Sequence, residues 1–381
     1  MDKTKIYLIL LFMGAILGSC NNDPQVYNEP FLENTAYDSE EESEPGASGD
    51  VLSIKQEEAK VQHVVEVENT SAGNMHPAHV QLNAALGGGD VKVPLEPLGS
   101  STGLNTTSFL SLEESKPIIF ENIATLDAYI NVHLSADDLD TIVAQGDIGQ
   151  NEITEEFKSF DFNKKVVDDT SGSLLTGKRL NDEALATLSF DYTPSGRSHP
   201  AHIHENATVE GGGILSSFTP VVGDAAMSQS HVETLDGDTT FGYEDPMGVD
   251  GYMNVSLDDS GTNVAQIDID RNEGAANFVT YDLDEQVVDD TSGSLLIEER
   301  LNDEVLTTLS FDNTPADGLH PTHTYENTAK DREAVHFSFI PVVGDTGMSQ
   351  PYVEQLDDTT LGHANVMEVE GYVNVYLSLT D

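Results

Sequence analysis

Apolar and polar residues alternate with a period of two through much of this chain. Ala186, Leu188 and Phe190 alternate with Thr187, Ser189 and Asp191, and Leu306, Leu309 and Phe311 occupy the matching segment further on. Met253, Val255 and Leu257 alternate with Tyr252, Asn254 and Ser256. Such alternation predicts half-buried strands with one wet face. A hairpin is predicted from Gly172 through Asn181-Asp182 to Phe190, and another from Gly293 through Asn302-Asp303 to Phe311, because Asn-Asp is good turn chemistry between two runs. Only Ser135–Leu139 predicts a helical turn, with Ser135 as N-cap. Many short strands and no long amphipathic helix predict an all-β fold, an antiparallel β-sandwich or Greek-key barrel.

Two phrases recur in register. The first reads HPAHVQL at His76–Leu82, HPAHIHE at His199–Glu205 and HPTHTYE at His320–Glu326. About fifty residues after each comes DAYINVHLS from Asp127, DGYMNVSLD from Asp250 and EGYVNVYLS from Glu370. A spacing kept across two phrases marks a domain-sized repeat. The predicted organisation is three tandem antiparallel β-sandwich or Greek-key domains at 51–153, 154–274 and 275–381. The second and third repeats share Val-Val-Asp-Asp-Thr-Ser-Gly-Ser-Leu-Leu, from Val166 and Val287, which the first lacks. Thr141–Ile148 and Asn263–Ile269 read as the final strands of the first two repeats. The third reaches Asp381 before such a strand, so its edge is expected to be open or closed by something else.

The N-terminus changes the setting. Lys3 and Lys5 precede an apolar run from Ile6 to Leu17, then Leu17-Gly18-Ser19-Cys20. This is a secretory signal at 1–19, too short for a membrane span. Its last four residues resemble the bacterial lipobox, which implies lipidation of Cys20. Cys20 is the single cysteine, so no internal disulfide can form. Residues 20–50 carry Asp38-Ser39-Glu40-Glu41-Glu42 and read as a disordered acidic tether. Acids outnumber bases 68 to 16, a formal charge of −52, which excludes nucleic acid as a partner and fits solubility in salt. Asp268–Gly274 begins like a calcium loop, but Val279 stands where the closing carboxylate belongs.

The candidate chemistry is histidine. Alternation puts His202 and His204 together on the wet face, about 7 Å apart along the strand. Tyr129, Asn131 and His133 are predicted to face out of the second phrase. His199, His202 and His204, with His76, His79 and His133 in the first repeat, are therefore candidate ligands for zinc or copper. The repeats disagree on this set, with Gln81, Ser256, Tyr325 and Tyr376 at equivalent places. The competing reading is a set of surface residues packed in cross-strand pairs with Tyr and Asn. Gly87–Gly89 and Gly211–Gly213 read as flexible turns, since no helix follows to make a phosphate loop. No nucleophile elbow or zinc-protease helix appears, so no catalytic residue is assigned.

These phrases resemble the CHRD domain, named for chordin. The residues that carry the resemblance are Ser198–Asn206, Gly211–Gly213, Pro220-Val221-Val222-Gly223 and Leu235-Asp236-Gly237, with Asp127–Ser135 and Ala144–Gly149 in the first repeat. The resemblance covers most of residues 51–381 and implies an extracellular β-rich module without catalytic residues. The expected protein is a non-enzymatic lipoprotein, held through Cys20 to a bacterial membrane, the outer one, on its periplasmic or cell-surface face. It would bind an extracellular protein or glycan, or act as a spacer. The alternative is a zinc or copper protein using the strand of the second repeat.

Overall fold

The computed structural model describes residues 33–41, 48–55, 61–68, 73, 75–99, 104–109, 111–113, 116–117, 120–164, 171–236, 239–243, 249–258, 261–316, 318–327, 335–350, 352–353, 355–356, 359–360 and 362–378. Within them the fold is all-β and antiparallel, with two short helices, Phe120–Ile123 and His363–Met367. The chain divides into two compact units. One holds residues 1–78, 94–123 and 132–144; the other holds 79–93, 124–131 and 145–381.

The first sheet contains β1 (Glu33–Glu41), β2 (Ser48–Lys55), β3 (Val61–Glu68), β4 (Met75–Leu82), β5 (Val91–Gly99), β6 (Leu104–Phe109), β7 (Asp127–Ser135) and β8 (Asp138–Gly149). Their order is β5-β4-β7-β8-β1-β2-β3-β6. In the segment 20–50, β1 lies antiparallel to β2, with Asp38 opposite Asp50; Cys20, the rest of 1–32 and 42–47 lie outside the described residues. One expectation is corrected here: Ser135–Leu139 is no helical turn. It is the bend of the β7–β8 hairpin, in which Asp138 Oδ1 accepts from Thr141 N at 3.1 Å.

The second sheet contains β9 (Ile153–Asp161), β10 (Asn163–Lys164), β11 (Gly172–Arg179), β12 (Ala184–Phe190), β13 (Ser198–Glu205), β14 (Ile214–Val222), β15 (Met227–Val232), β16 (Asp250–Ser256) and β17 (Asn263–Asp270). Their order is β9-β11-β12-β15-β14-β13-β16-β17-β10. β13, β14 and β15 form a meander whose last strand returns beside β12, which is a Greek key. β9 and β10 flank Phe162 in one run of chain, yet β9 pairs with β11 at one end of the path and β10 with β17 at the other. The sheet therefore curls until its two ends share one strand. The predicted hairpin is present, with Gly172 opposite Phe190, and Asp182 at its turn has φ 67°. Ala184, Ala186, Leu188 and Phe190 point inward as the alternation required. They pack with Leu174, Ile203, Phe218, Met253 and Ile269.

The third sheet contains β18 (Gly274–Leu283), β19 (Ser292–Arg300), β20 (Val305–Asp312), β21 (Leu319–Glu326), β22 (Val335–Val343), β23 (Met348–Ser349) and β24 (Gly371–Val375). The order β18-β19-β20-β23-β22-β21-β24 repeats that of the second sheet as far as β16, with no counterpart of β17 or β10 among the described residues. Among the described residues no strand lies beyond β24. The core thins accordingly: Leu295, Ile297, Val305, Leu309 and Val342 are buried, but Phe337, Phe339 and Val373 only partly.

Candidate functional site

The histidines of the repeated phrase divide between two faces. β13 buries His199, Ala201 and Ile203, and leaves His202 and His204 half-buried on the other side. The predicted three-histidine set is therefore not assembled. His199 is 0% exposed, with Nδ1 at 3.2 Å from the Ser256 carbonyl and Nε2 at 3.1 Å from that of Pro194. Both ring nitrogens thus face backbone oxygens rather than a ligand. The same contact recurs in each repeat: His76 Nδ1 to the His133 carbonyl, and His320 Nδ1 to that of Tyr376, both at 3.2 Å. The first histidine of each phrase pins its strand to the strand carrying the second phrase. That is a physical reason for the fixed spacing of the two phrases.

His202 and His204 remain together, with ring centroids 6.1 Å apart. Burial, followed by the neighbouring His204, lowers the His202 pKa below the usual histidine value. His204 stacks on Tyr252 at 4.9 Å between centroids, and its Nδ1 lies 3.1 Å from the Gly212 carbonyl. Here the predicted wet face is corrected. Tyr252, Asn254 and Ser256 are buried, and so are Tyr129, Asn131 and His133. The glycine loop helps to cover this face, since Gly212 N donates to Tyr252 Oη at 3.3 Å. It is not a loose turn: a Cβ on Gly212 would stand 2.2 Å from the Glu205 carbonyl oxygen, and one on Gly89 1.9 Å from that of Leu82. His133 Nδ1 lies 2.6 Å from the Leu139 carbonyl, and burial is the main cause that lowers its pKa. His79 is half-buried on β4.

The structure also shows a constellation that the motif reading passed over. Arg179 is completely buried; its Nη1 donates to Asp147 Oδ2 at 2.6 Å and to the Asn151 carbonyl. Asn151 Nδ2 donates in turn to Asp127 Oδ1 at 2.9 Å and to the carbonyls of Asn83 and Ala128. Asn181 Nδ2 reaches Asn151 Oδ1 at 3.0 Å. This network joins the end of the first repeat to the first hairpin of the second. It recurs 121 residues later. Arg300 Nη1 lies 2.8 Å from Asp268 Oδ2 and donates to the Asn272 carbonyl. Asn272 Nδ2 reaches the carbonyls of Asn206 and Gly251, and Asn302 Nδ2 reaches Asn272 Oδ1 at 3.0 Å. A signal was present in the sequence, because Arg-Leu-Asn-Asp-Glu occurs at both Arg179 and Arg300.

No family model matches this chain, and no curated protein or solved structure does. The reading of the site therefore rests on geometry.

The junction explains the acids of Asp268–Gly274. Asp268 serves Arg300, and Asp270 Oδ1 lies 2.7 Å from Lys158 Nζ, which also reaches Glu273 at 2.8 Å. These carboxylates hold the chain's own cations. Burial pushes the Asp270 carboxyl up to about 6, against the opposing pull of Lys158. Arg179 Nε and Nη2 and Arg300 Nε have no hydrogen-bond partner among the described residues. A buried pair so incompletely satisfied fixes geometry more than it adds stability.

The remaining feature lies in the third sheet. A cavity of about 510 Å³ opens among Leu283, Leu295, Ile297, Phe337, Phe339 and Val373. The corresponding interior of the second sheet retains about 20 Å³. There β17 supplies Ala265 and Ile269 to the core, with Ile267 packed against it.

Proposed function

We propose that the chain is a non-enzymatic, exported bacterial lipoprotein built of CHRD-type modules, and that its third module binds an extended apolar peptide. The observation that carries this reading is the cavity of about 510 Å³ in the third sheet, lined by Leu283, Leu295, Ile297, Phe337, Phe339 and Val373 among others. A largely apolar cavity of that size suits the alternate side chains of an extended peptide. The partner is then an extracellular protein presenting a strand with apolar residues at every second position. The lipid anchor would be Cys20. The resemblance to CHRD modules rests on the phrases quoted above.

The test adds a peptide of sequence Asn263–Asp270 to the full chain and follows binding by calorimetry. Binding with roughly micromolar affinity is expected, lost when Ile267 and Ile269 of the peptide become Asp. No binding, or equal binding by the altered peptide, refutes peptide binding in the cavity. The anchor is tested separately with Cys20→Ala: the variant should leave the membrane fraction, and its retention there would rule out lipidation as the anchor.

A further inference from the structure

A second cluster of ligand-type side chains lies on the outer face of the second sheet, away from the repeated phrase. Register pairs Ala184 with Val232 and Leu185 with His231. Ala184 and Val232 face the core. Glu183, just before β12, therefore comes to the outer face opposite Glu233, with His231 two residues back along the same strand. The side chain of His231 is 3% exposed, and neither ring nitrogen has a hydrogen-bond partner. Burying such a group bare is costly. Its Nε2 lies 3.7 Å from Glu183 Oε2 and 3.6 Å from Glu233 Oε2. Those distances are too long for hydrogen bonds. They are close to the separation of two atoms that each stand about 2.1 Å from one zinc ion, which is roughly 3.4–3.6 Å at tetrahedral to trigonal angles. One ligand atom from each residue falls within 4.8 Å of the others.

We propose that Glu183, His231 and Glu233 bind one divalent transition-metal ion, with zinc the best match. One imidazole nitrogen and two carboxylates make a mixed set that suits zinc, whereas calcium takes six to eight oxygens. Asn181 Nδ2 donates to Glu183 Oε2 at 2.6 Å and so orients that carboxylate from outside the ligand set. Gly87 lies against the imidazole, where an added Cβ would stand 2.8 Å from His231 Cδ2. The loop from Asn83 to Gly89 thus covers the ring, and an ion would fasten the second sheet beneath it. Burial, above all, raises the Glu183 carboxyl, with Asp127 and Glu233 adding to the effect, and a bound cation would relieve that cost. The third sheet does not repeat the set, because Tyr352 stands opposite Leu306 where His231 stands opposite Leu185.

The test loads the full chain with Zn²⁺, desalts it in excess Mg²⁺ and measures retained zinc. About one equivalent is expected for the parent and for His202→Ala and His204→Ala, and less than about a tenth for His231→Gln and Glu233→Gln. Glu233 is exposed, so Glu233→Gln should fold like the parent and decides the matter if His231→Gln does not. No zinc retained by the parent, a full equivalent retained by Glu233→Gln, or loss in the His202 and His204 variants instead would overturn the assignment.

Discussion

Replacing Arg179 by Met tests whether the buried arginines set the junctions. Methionine keeps most of the stem volume, so the change falls on the charge and its hydrogen bonds. Arg179 Nη1 makes two such bonds, to Asp147 and to the Asn151 carbonyl. Charge-assisted bonds contribute about 1.5–3 kcal/mol each. Against that loss, Nε and Nη2 no longer need burying without partners, which returns about 1–3 kcal/mol. The expected net loss is about 3 kcal/mol, at the lower end of what breaking a buried pair costs. Asp147 also accepts from Ala85 N at 2.8 Å, so Asp147→Asn keeps that bond while removing the charge. The double variant Arg179→Met/Asp147→Asn should therefore regain about 1 kcal/mol over the single one. The assay is urea unfolding followed by circular dichroism and tyrosine fluorescence, since the chain has no Trp. A single variant within about 0.5 kcal/mol of the parent, or a double variant no more stable than the single, would refute the reasoning.

Asp270→Asn should alter the pH dependence of stability. The folded-state value of about 6 exceeds the ordinary 3.8, so between these values the folded chain holds a proton that the unfolded chain releases. Asp270 thus favours folding most at low pH, and its contribution falls as pH rises to about 6; unfolding curves of parent and variant should diverge across that window, and parallel curves would count against it. Asn also tolerates the φ of 50° at this position. Gly212→Ala should cost about 1–3 kcal/mol through the clash with the Glu205 carbonyl, read as a lowered urea midpoint; an unchanged midpoint would mean the loop yields freely. His199→Leu removes a buried ring that can donate to one of the carbonyls of Ser256 and Pro194 and should cost about 1–3 kcal/mol, whereas His202→Leu should cost less than about 1 kcal/mol; equal losses would contradict the division of faces.

The parts of the fold that depend on local period were legible. Alternation at Ala184–Phe190 named the inward face of β12, and the Asn-Asp pair named its hairpin turn, because both follow from backbone geometry within a few residues. Alternation could not say what lies above a strand. The outer faces of β7 and β16 read as wet, but side chains from neighbouring strands and the glycine loops cover them. A motif search built on histidine phrases passed over Arg179 and His231, whose partners lie far away in sequence or on a neighbouring strand.

The sequence by itself determined the all-β class, the repeat and its register, and the absence of disulfides, since these follow from periodicity, offset and composition. Only the tertiary structure decided which histidines are buried pins and which share a face. It also decided that Asp147 and Asp268 serve arginines, that Glu183 and Glu233 meet His231, and that the third sheet encloses a cavity. The reason is that burial and electrostatic partnership are properties of the packed neighbourhood. Three copies of one phrase hold the same strand, and the residues brought against each copy decide what that strand can do.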